Sequence, residues 1–377
     1  MDLVFSAEES MLRDTMSRFI EREYSFEARK RRLALPDGFC RDTWRGLAEL
    51  GALAAALPTD AGGFGAGAMG TLIIAQACGH GLVVEPYLAT IVLGAGLLEL
   101  AATPAHQALL GRVVDGGLLL AFAHSEPNSG AGPDEVETRA METAAGFALT
   151  GRKSAVIHGA SADTLIVSAR TGGAPPNPDG LSLFLVDRRD PAVQVRGYVT
   201  IDGLRAAAIT LNGASVPRTA LLGPMGQALP IVEHVLDRAN AALCAEATGA
   251  MQCLLDRTVT YLRTRQQFGQ PLARFQALQH RIADMAMHVE QARSMAYLAA
   301  LQVDRAERET RARLISAAKA RACVAASFVG KQAIQLHGGV GMTDALDVSH
   351  YFRRLTAIAR TLGDEAFHVE RFAATTP

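Results

Sequence analysis

Apolar residues in the first third of the chain recur at helical spacing. Four of them share one face of the first predicted helix: Leu12, Met16, Phe19 and Ile20. Ser6 and Glu9 precede this face with the S-x-x-E pattern of a helix-capping box. The apolar run at residues 72–98 is broken by His80, Glu85 and Pro86. A membrane-spanning helix requires about 20 uninterrupted apolar residues, so this run predicts buried core helices.

The pattern changes near residue 121 to short β-rich segments. They are separated by Gly, Pro, Asn and Asp, and they lie at residues 164–170, 181–187, 193–199 and 207–213. Several such segments at short intervals are typical of a compact β-barrel or sandwich. The sequence TGGAPPNPDG between the first two predicts a surface hairpin or loop.

Helical spacing returns after LLGPMGQA and continues to the C-terminus. Six apolar residues line one side of a long helix predicted to start near Asp237: Leu243, Ala247, Met251, Leu254, Leu255 and Leu262. Arg263 and Arg265 fit its last turn, Gly269 its C′ position, and Pro271 follows. A second helix carries three further apolar residues, Ile282, Met285 and Val289.

These patterns predict an α+β fold that is mostly α. The expected parts are an N-terminal helical domain (1–120), a middle β-barrel or sandwich domain (121–226) and a C-terminal four-helix bundle (227–377). A chain of 377 residues is long enough to bury a large core. No repeat of 20 to 50 residues is present, which excludes a solenoid.

Composition narrows the functional classes. The net charge is -1, so nothing favours binding to nucleic acid or to an anionic membrane. The five cysteines form no C-x-x-C pair, which argues against zinc, an iron–sulfur cluster or a disulfide framework. The N-terminus has no apolar signal region. Together these features predict a cytoplasmic protein.

Two short motifs carry candidate chemistry. In RTRQQFGQP, two arginines at a helix end could bind an anion, or they could only complement the helix dipole. In QLHGGVGMT, three glycines could admit a ligand close to the backbone, or they could only end a helix. Taken singly, each motif favours the structural alternative. His337, beside the glycine pair, is expected to be a packing residue.

Taken together and in this order, the segments resemble the acyl-CoA dehydrogenase family. YLRTRQQFGQPLARFQALQHRIADM is similar to the Arg-x-x-Phe-Gly region, and QLHGGVGMT with YFRR to the Gln-x-x-Gly-Gly-x-Gly region. LRAAAITLNGASVPRTALLG is similar to the end of the family's β-domain, and FAHSEP to a flavin-contacting strand. The details EPYLAT, CAEATGAM and HYFRRLTAI are similar to the small-subunit type found in dehydrogenases of pimeloyl-CoA and of steroid side chains.

The resemblance implies bound FAD and an acyl-CoA substrate. It places Arg265 on the FAD pyrophosphate, reaching a neighbouring protomer, and Phe268 near the cofactor. Ser125, with His124 beside it, would contact the flavin ring. The adenosine-diphosphate half would contact Gln335, Gly338 and Gly339. The substrate site would include Asp237, Asn240 and Leu362.

The chain departs from the family pattern at the flavin wall and at the base. Ala155 and Ile157 replace a usual Trp and Thr. Removal of the acyl α-proton requires a carboxylate base, and Leu362 occupies the family's usual base position. Ala239 occupies the position that a minority branch uses. The remaining candidates are Glu246 and, less favoured, Asp364. Each has an alternative: a buried ion pair with an arginine for Glu246, and a helix N-cap for Asp364.

Two functions follow from the resemblance. One is FAD-dependent α,β-dehydrogenation of an acyl-CoA with a dicarboxylic, branched or steroid-derived chain. The alternative is a non-catalytic small subunit that completes the FAD site of a partner dehydrogenase chain. The expected partners are an electron-transfer flavoprotein or similar acceptor, and other copies in a homodimer, homotetramer or heterotetramer with a second family chain. No nucleic acid and no membrane is expected.

Overall fold

The computed structural model describes residues 5–101 and 103–375. Its N-terminal part is helical, as the apolar spacing predicts. The Ser6 hydroxyl accepts from the Glu9 N–H and the Glu9 carboxylate accepts from the Ser6 N–H, so the predicted capping box is confirmed. The helices here are α1 (Ala7–Glu23), α2 (Phe26–Leu33), α3 (Arg41–Glu49), α4 (Gly67–Gly81), a π-helix (Tyr87–Ala95), α5 (Gly96–Ala101) and α6 (Pro104–Val114).

A β-sheet occupies the middle of the chain. Its strands are β1 (Leu120–Ala123), β2 (Arg139–Thr143), β3 (Gly146–Ile157), β4 (Thr164–Arg170), β5 (Leu181–Asp187), β6 (Val193–Val199), β7 (Arg205–Pro217) and β8 (Leu221–Leu222). Their order is β6-β7-β3-β2-β4-β5-β8, and β1 pairs with β4. β4 and β5 are antiparallel, so the Gly- and Pro-rich segment between them is the predicted hairpin loop. Leu165, Phe184 and Ile209 lie in the apolar core of this sheet.

Helices continue from β8 to the end of the described chain. They are α7 (Leu229–Thr264), α8 (Gln276–Gln302), α9 (Arg308–His337), α10 (Val348–Ile358) and α11 (Glu365–Ala374), with strands β9 (Gln266–Gln267) and β10 (Gln270–Pro271) between α7 and α8. The predicted α+β, mostly α, fold class is confirmed. None of the described helices combines the length and apolarity that crossing a bilayer requires.

The described residues group into two compact units that do not follow chain order. The first unit comprises the described parts of Met1–Arg31, Ala68–Val83 and Asn240–Pro377, and the second those of Arg32–Gly67 and Val84–Ala239. Packing between residues distant in sequence therefore defines each unit. The domain boundaries near residues 120 and 226 stay predictions.

Two glycines allow α4 and α7 to pack with their backbones in contact inside the first unit. A Cβ on Gly79 would lie 1.9 Å from the Glu246 carbonyl oxygen, and a Cβ on Gly249 would lie 2.0 Å from the Gln76 carbonyl oxygen. Neither position accepts a side chain unless the helices move apart. This contact fixes the backbone of α7 around Glu246.

The long helix α7 differs from its prediction at both ends. It begins at Leu229 rather than near Asp237, and it ends at Thr264. Gly269 has φ +78° but is not the C′ residue of the helix, because Phe268 (φ +54°) and Gly269 are the two central residues of the β9–β10 hairpin. Positive φ at both positions is the geometry of a type I′ turn. The six residues of its predicted apolar face are buried, as expected: Leu243, Ala247, Met251, Leu254, Leu255 and Leu262.

Candidate functional site

A groove of about 740 Å³ in the first unit brings together four residues predicted to bind the cofactor. Its walls come from the end of α7, the start of α8 and the end of α9. The four residues are Arg265, Gln335, Gly338 and Gly339. They come from two motifs that are far apart in the sequence, so the groove is a product of helix packing.

The glycine pair opens the backbone where α9 ends. Gly338 has φ +64°, and a Cβ added there or at Gly339 would meet no described atom within 4 Å. The space above the main chain is therefore free for a ligand. His337 lies under this turn, with its ring stacked on Tyr261 at 4.4 Å and its Nδ1–H donated to the Ala333 carbonyl. His337 therefore has the expected packing role.

Arg265 combines a fixed backbone with an exposed side chain. Its N–H donates to the Tyr261 carbonyl at 2.8 Å, and its carbonyl accepts from the Leu272 N–H at 2.9 Å. Arg263 is also exposed but does not line the groove. Phe268, at the tip of the β9–β10 hairpin, is 89% exposed. A large aromatic ring in this position is available to a ligand or to another chain.

Glu246, the favoured candidate base, lies on α7 in a bidentate ion pair. Arg354 Nε donates to Oε1 at 2.6 Å and Arg354 Nη2 donates to Oε2 at 2.8 Å. Both side chains are 11% exposed. This is the ion-pair alternative stated for Glu246. Both carboxylate oxygens are therefore held by one guanidinium, and this contact ties the Glu246 side chain to Arg354 rather than leaving it free to turn towards a substrate.

Asp364, the second candidate base, is the N-cap of α11. Its Oδ1 accepts from the Phe367 N–H at 3.1 Å, and its Oδ2 pairs with Arg360 at 3.0 Å. The Phe367 N–H, with Arg360, holds the pKa of Asp364 below its usual range. Asp364 thus has the environment of its N-cap alternative, and a lowered pKa weakens it as a base.

Leu362 lies in a turn of unusual backbone conformation, Thr361–Gly363, called the Leu362 turn below. Leu362 has φ +57° and Gly363 has φ +102°. The Leu362 carbonyl accepts from Asn240 Nδ2 at 3.4 Å and from His368 Nε2 at 3.1 Å. Burial, with the Lys319 ammonium nearby, lowers the pKa of His368 to about 3, so the ring is neutral near pH 7.

The predicted substrate residues Asn240 and Asp237 are both buried. Asn240 is 3% exposed, and its Oδ1 has no hydrogen-bond partner among the described residues. A buried amide oxygen without a donor is costly, so this atom fits contact with a ligand or with water. Asp237 is 1% exposed and lies on α7, in the second unit.

Ser125 follows β1 in the second unit, beside a buried polar network. The Ser125 side chain is exposed, and its carbonyl accepts from the Ser154 N–H at 2.8 Å. Lys153 donates to the His124 carbonyl at 2.9 Å and to Glu126 Oε1 at 2.7 Å, so it bonds to both neighbours of Ser125. Burial lowers the pKa of Lys153 to about 8. Burial, with Lys153 nearby, lowers the pKa of His124 to about 3.

The departures predicted for the flavin wall lie at a bulge in β3. The β3–β7 register shifts between Lys153 and Val156. Ala155 lies at this bulge, exposed and with φ +51°. Ile157 is partly buried. Ala155 therefore presents only a methyl group at the position where the resemblance expects a tryptophan ring.

Two buried lysines, Lys153 and Lys319, were not predicted from the sequence. The chain has only four lysines among its 37 Lys and Arg residues, and these two are 1% and 0% exposed. The spacing of α9 contained a signal, since Ile315, Ala318 and Ala322 form a buried face that includes position 319. A lysine on an apolar helix face predicts a buried donor, because an unpaired cation there is costly.

Comparison with known proteins identifies the class. Family models match three consecutive parts: the acyl-CoA dehydrogenase N-terminal domain at residues 6–116, the middle domain at 121–213 and the C-terminal domain at 227–375. The chain belongs to the acyl-CoA dehydrogenase family. The predicted class, a flavoprotein oxidoreductase, is therefore confirmed, and its cofactor is FAD.

Individual relatives support the same result. The chain is 32% identical to acyl-CoA dehydrogenase FadE27 of Mycobacterium tuberculosis, over 84% of this chain and 83% of that one. Among solved structures, a chain of the ChsE4-ChsE5 complex of Mycobacterium tuberculosis matches with a TM-score of 0.89 and 27% identity. The match covers 100% of this chain and 100% of that chain. A variant of the Tcur3481-Tcur3483 steroid ACAD matches with a TM-score of 0.88 and 27% identity, covering 98% of this chain and 97% of that one.

The groove residues fit the cofactor that the family uses. Arg265 offers a planar, permanently charged fork suited to a pyrophosphate. The open backbone at Gly338 and Gly339 gives room for close approach of a nucleotide. Gln335 supplies both a donor and an acceptor on the same wall.

Proposed function

We propose that this chain is one subunit of an FAD-dependent acyl-CoA dehydrogenase in which a second chain of the family supplies the carboxylate base. The bidentate pairing of Glu246 with Arg354 carries the proposal. A base must turn a carboxylate oxygen towards the α-proton, and Arg354 holds both Glu246 oxygens in one bidentate contact. With Leu362 at the usual base position and Asp364 used as an N-cap, both candidate bases serve the structure of this chain.

The reaction class defines what the cofactor residues must do. The chemistry that FAD supplies when bound is acceptance of the hydride from the acyl β-carbon. Arg265 would hold the pyrophosphate, and Ser125 would donate its hydroxyl to the flavin ring. Phe268 would pack near the cofactor. The adenosine-diphosphate half would lie against Gln335, Gly338 and Gly339.

The substrate residues indicate an apolar, bulky acyl chain. Leu362 would form a wall of the acyl site, and a side chain that cannot ionise favours apolar contact. Asn240 would offer its unpaired Oδ1 to a donor on the substrate, and Asp237 would lie near the pantetheine arm. Among the predicted substrates, these features favour a steroid-derived or branched chain over a dicarboxylic one. The similarity to a structure described as a steroid ACAD supports this choice.

The assembly would be a heterotetramer with a second family chain, and an electron-transfer flavoprotein or similar protein would reoxidise it. Similarity to the ChsE4-ChsE5 complex, whose two names denote two chains, supports a mixed assembly. In a related form of the proposal, this chain keeps no FAD of its own and lends Arg265 to a partner's cofactor. The exposed position of Arg265 on the β9–β10 side of the groove suits either form.

A second candidate function is dehydrogenation by this chain alone. Glu246 favours it, because the residue is a buried carboxylate on an otherwise apolar stretch of α7. Arg354 would then have to release one carboxylate oxygen when substrate binds. Replacing Glu246 by Gln would in that case reduce flavin reduction by about 10²–10⁴, the usual contribution of a general base.

The test is purification of the chain alone and together with a family chain that carries the usual Glu. We expect acyl-CoA thioesters with steroid-derived or branched chains to bleach the flavin of the mixed assembly but not of the single chain. If the single chain is colourless while the mixed assembly is yellow, the chain keeps no FAD of its own and lends Arg265 to a partner's cofactor. Bleaching of the single chain at the rate of the assembly would contradict the proposal and favour the second candidate.

A further inference from the structure

The carbonyls of the Leu362 turn all accept hydrogen bonds from side chains of other elements. Lys319 Nζ, on α9, donates to the Thr361 carbonyl at 2.6 Å and to the Gly363 carbonyl at 3.2 Å. Asn240 on α7 and His368 on α11 reach the carbonyl between them. Lys319 therefore binds the residues on both sides of Leu362.

The turn requires such support because its backbone conformation is unfavourable for leucine. Leu362 has φ +57°, a region in which the Cβ of any L residue crowds the following carbonyl. The next residue is restricted as well. Gly363 has φ +102°, and a Cβ there would lie 2.4 Å from the Phe367 ring, so the position accepts only glycine. Residues in sparsely populated conformations persist only when their surroundings over-determine them.

Lys319 is an unusual choice for a residue that only fills the core. It is 0% exposed on a face with Ile315, Ala318 and Ala322, where an apolar side chain would avoid the cost of burying a cation. Its hydrogen bonds go to main-chain carbonyls of one turn. An ammonium on a long stem can serve two carbonyls at once, and no apolar residue can do so.

We propose that Lys319 is a positioning residue that holds the Leu362 turn and thereby fixes the direction of the Leu362 side chain. The hydrogen bonds to the carbonyls before and after Leu362 restrict the dihedral angles between them. The direction of the side chain follows from those angles. The further consequence, that Lys319 sets the shape of the acyl site, rests on the proposed function.

The test compares Lys319→Met with Lys331→Met in the wild-type chain and in the Leu362→Gly chain. Methionine keeps the length of the lysine but has no donor. Lys331 lies on the same helix and is exposed, so its replacement is a matched control. Hydrogen exchange of a peptide covering residues 361–368 reports on the turn without requiring FAD, substrate or partner.

We expect Lys319→Met to speed exchange of this peptide by about tenfold or more, and Lys331→Met to leave it unchanged. In the Leu362→Gly chain the effect of Lys319→Met should be smaller, because glycine adopts positive φ without cost. Equal effects of Lys319→Met in both chains would overturn the proposal, since a purely structural lysine acts independently of residue 362. If the Lys319→Met chain does not fold, we expect the Lys319→Met/Leu362→Gly chain to fold. If neither chain folds, the proposal is also overturned.

The acyl-site consequence has its own measurement. In the active assembly, Lys319→Met should change the ratio of kcat/KM between a bulky and a linear acyl-CoA, and Lys331→Met should not. If exchange shows the coupling while this ratio is unchanged, Lys319 holds the turn and the assignment of Leu362 to the acyl site is wrong. If the ratio changes without faster exchange, the proposal for Lys319 is wrong.

Discussion

Glu246 and Arg354 form a bidentate ion pair inside the first unit, with donor–acceptor distances of 2.6 and 2.8 Å. The pair joins α7 to α10, and both side chains are 11% exposed. It supports the proposed function, because Glu246, the candidate base that the sequence favours, is bound to Arg354 at both oxygens.

Replacing Glu246 by Gln should destabilise the protein and leave catalysis by the mixed assembly within a few-fold of wild type. The substitution removes the charge that faces the buried Arg354 guanidinium, and breaking a buried ion pair in this way costs about 3–5 kcal/mol. Urea unfolding and single-turnover flavin reduction measure the two effects. Asp344→Asn is the matched control, because it breaks an exposed pair with Arg353 worth about 0–1 kcal/mol. Stability unchanged by Glu246→Gln, with reduction abolished, would identify Glu246 as the base.

Arg265→Ala should weaken FAD binding more than Arg263→Ala. Arg265 lines the groove, and a bidentate contact with a pyrophosphate is worth about 1.5–3 kcal/mol. Arg263 is exposed on the same helix end, where an arginine is worth about 0–1 kcal/mol. FAD affinity of the two variants, measured by fluorescence titration of the apoprotein, tests the difference. Equal losses would show that the assignment of Arg265 is wrong.

Gly339→Leu should block FAD binding without lowering the stability of the apoprotein. A Cβ at Gly339 meets no described atom within 4 Å, and the residue does not have positive φ, so a side chain can start from this position into the groove without backbone strain. It then occupies the space that the nucleotide requires. Thermal unfolding of the apoprotein and its FAD titration separate the effects. Gly111→Leu, another open position but outside the groove, should change neither.

Acid should destabilise the protein through His368. Its folded pKa is lowered to about 3, mainly by burial, from an ordinary value of about 6.5. Above the pKa of the unfolded chain the imidazole is neutral in both the folded and the unfolded state, so the stability that its burial allows is complete at those pH values. Below that value the unfolded chain binds a proton that the folded chain does not, and stability falls towards pH 3. His368→Gln should therefore reduce the acid dependence of the unfolding free energy between pH 6 and pH 4, by roughly 1.4 kcal/mol per pH unit at most.

The exposed His280 provides the control for this pH prediction. His280→Gln makes the same substitution at the surface, so the effect specific to the buried site is the difference between His368→Gln and His280→Gln. His124 and His350 also have lowered pKa values, of about 3 and about 4, so some acid dependence should persist in His368→Gln. An acid dependence that is identical in His368→Gln and wild type would contradict the prediction.

The sequence determined the class of this protein because its signals are local. Periodicity gave the order of helical, strand and helical segments, and the strands β4, β5 and β6 match the predicted segments residue for residue. The capping box at Ser6 and Glu9 was readable because its residues lie three apart. Motifs separated by long helices could still be recognised by their order, which identified the family and its cofactor.

The tertiary structure decided what the polar residues do. Sequence alone left Glu246 with two roles, and only the folding of α10 against α7 shows which arginine meets it. Lys319 and the Leu362 turn come from different helices, so no local pattern predicts their contact. The physical reason is that helix periodicity reports which face is buried, whereas hydrogen bonds and ion pairs depend on ångström-scale distances between elements far apart in the chain.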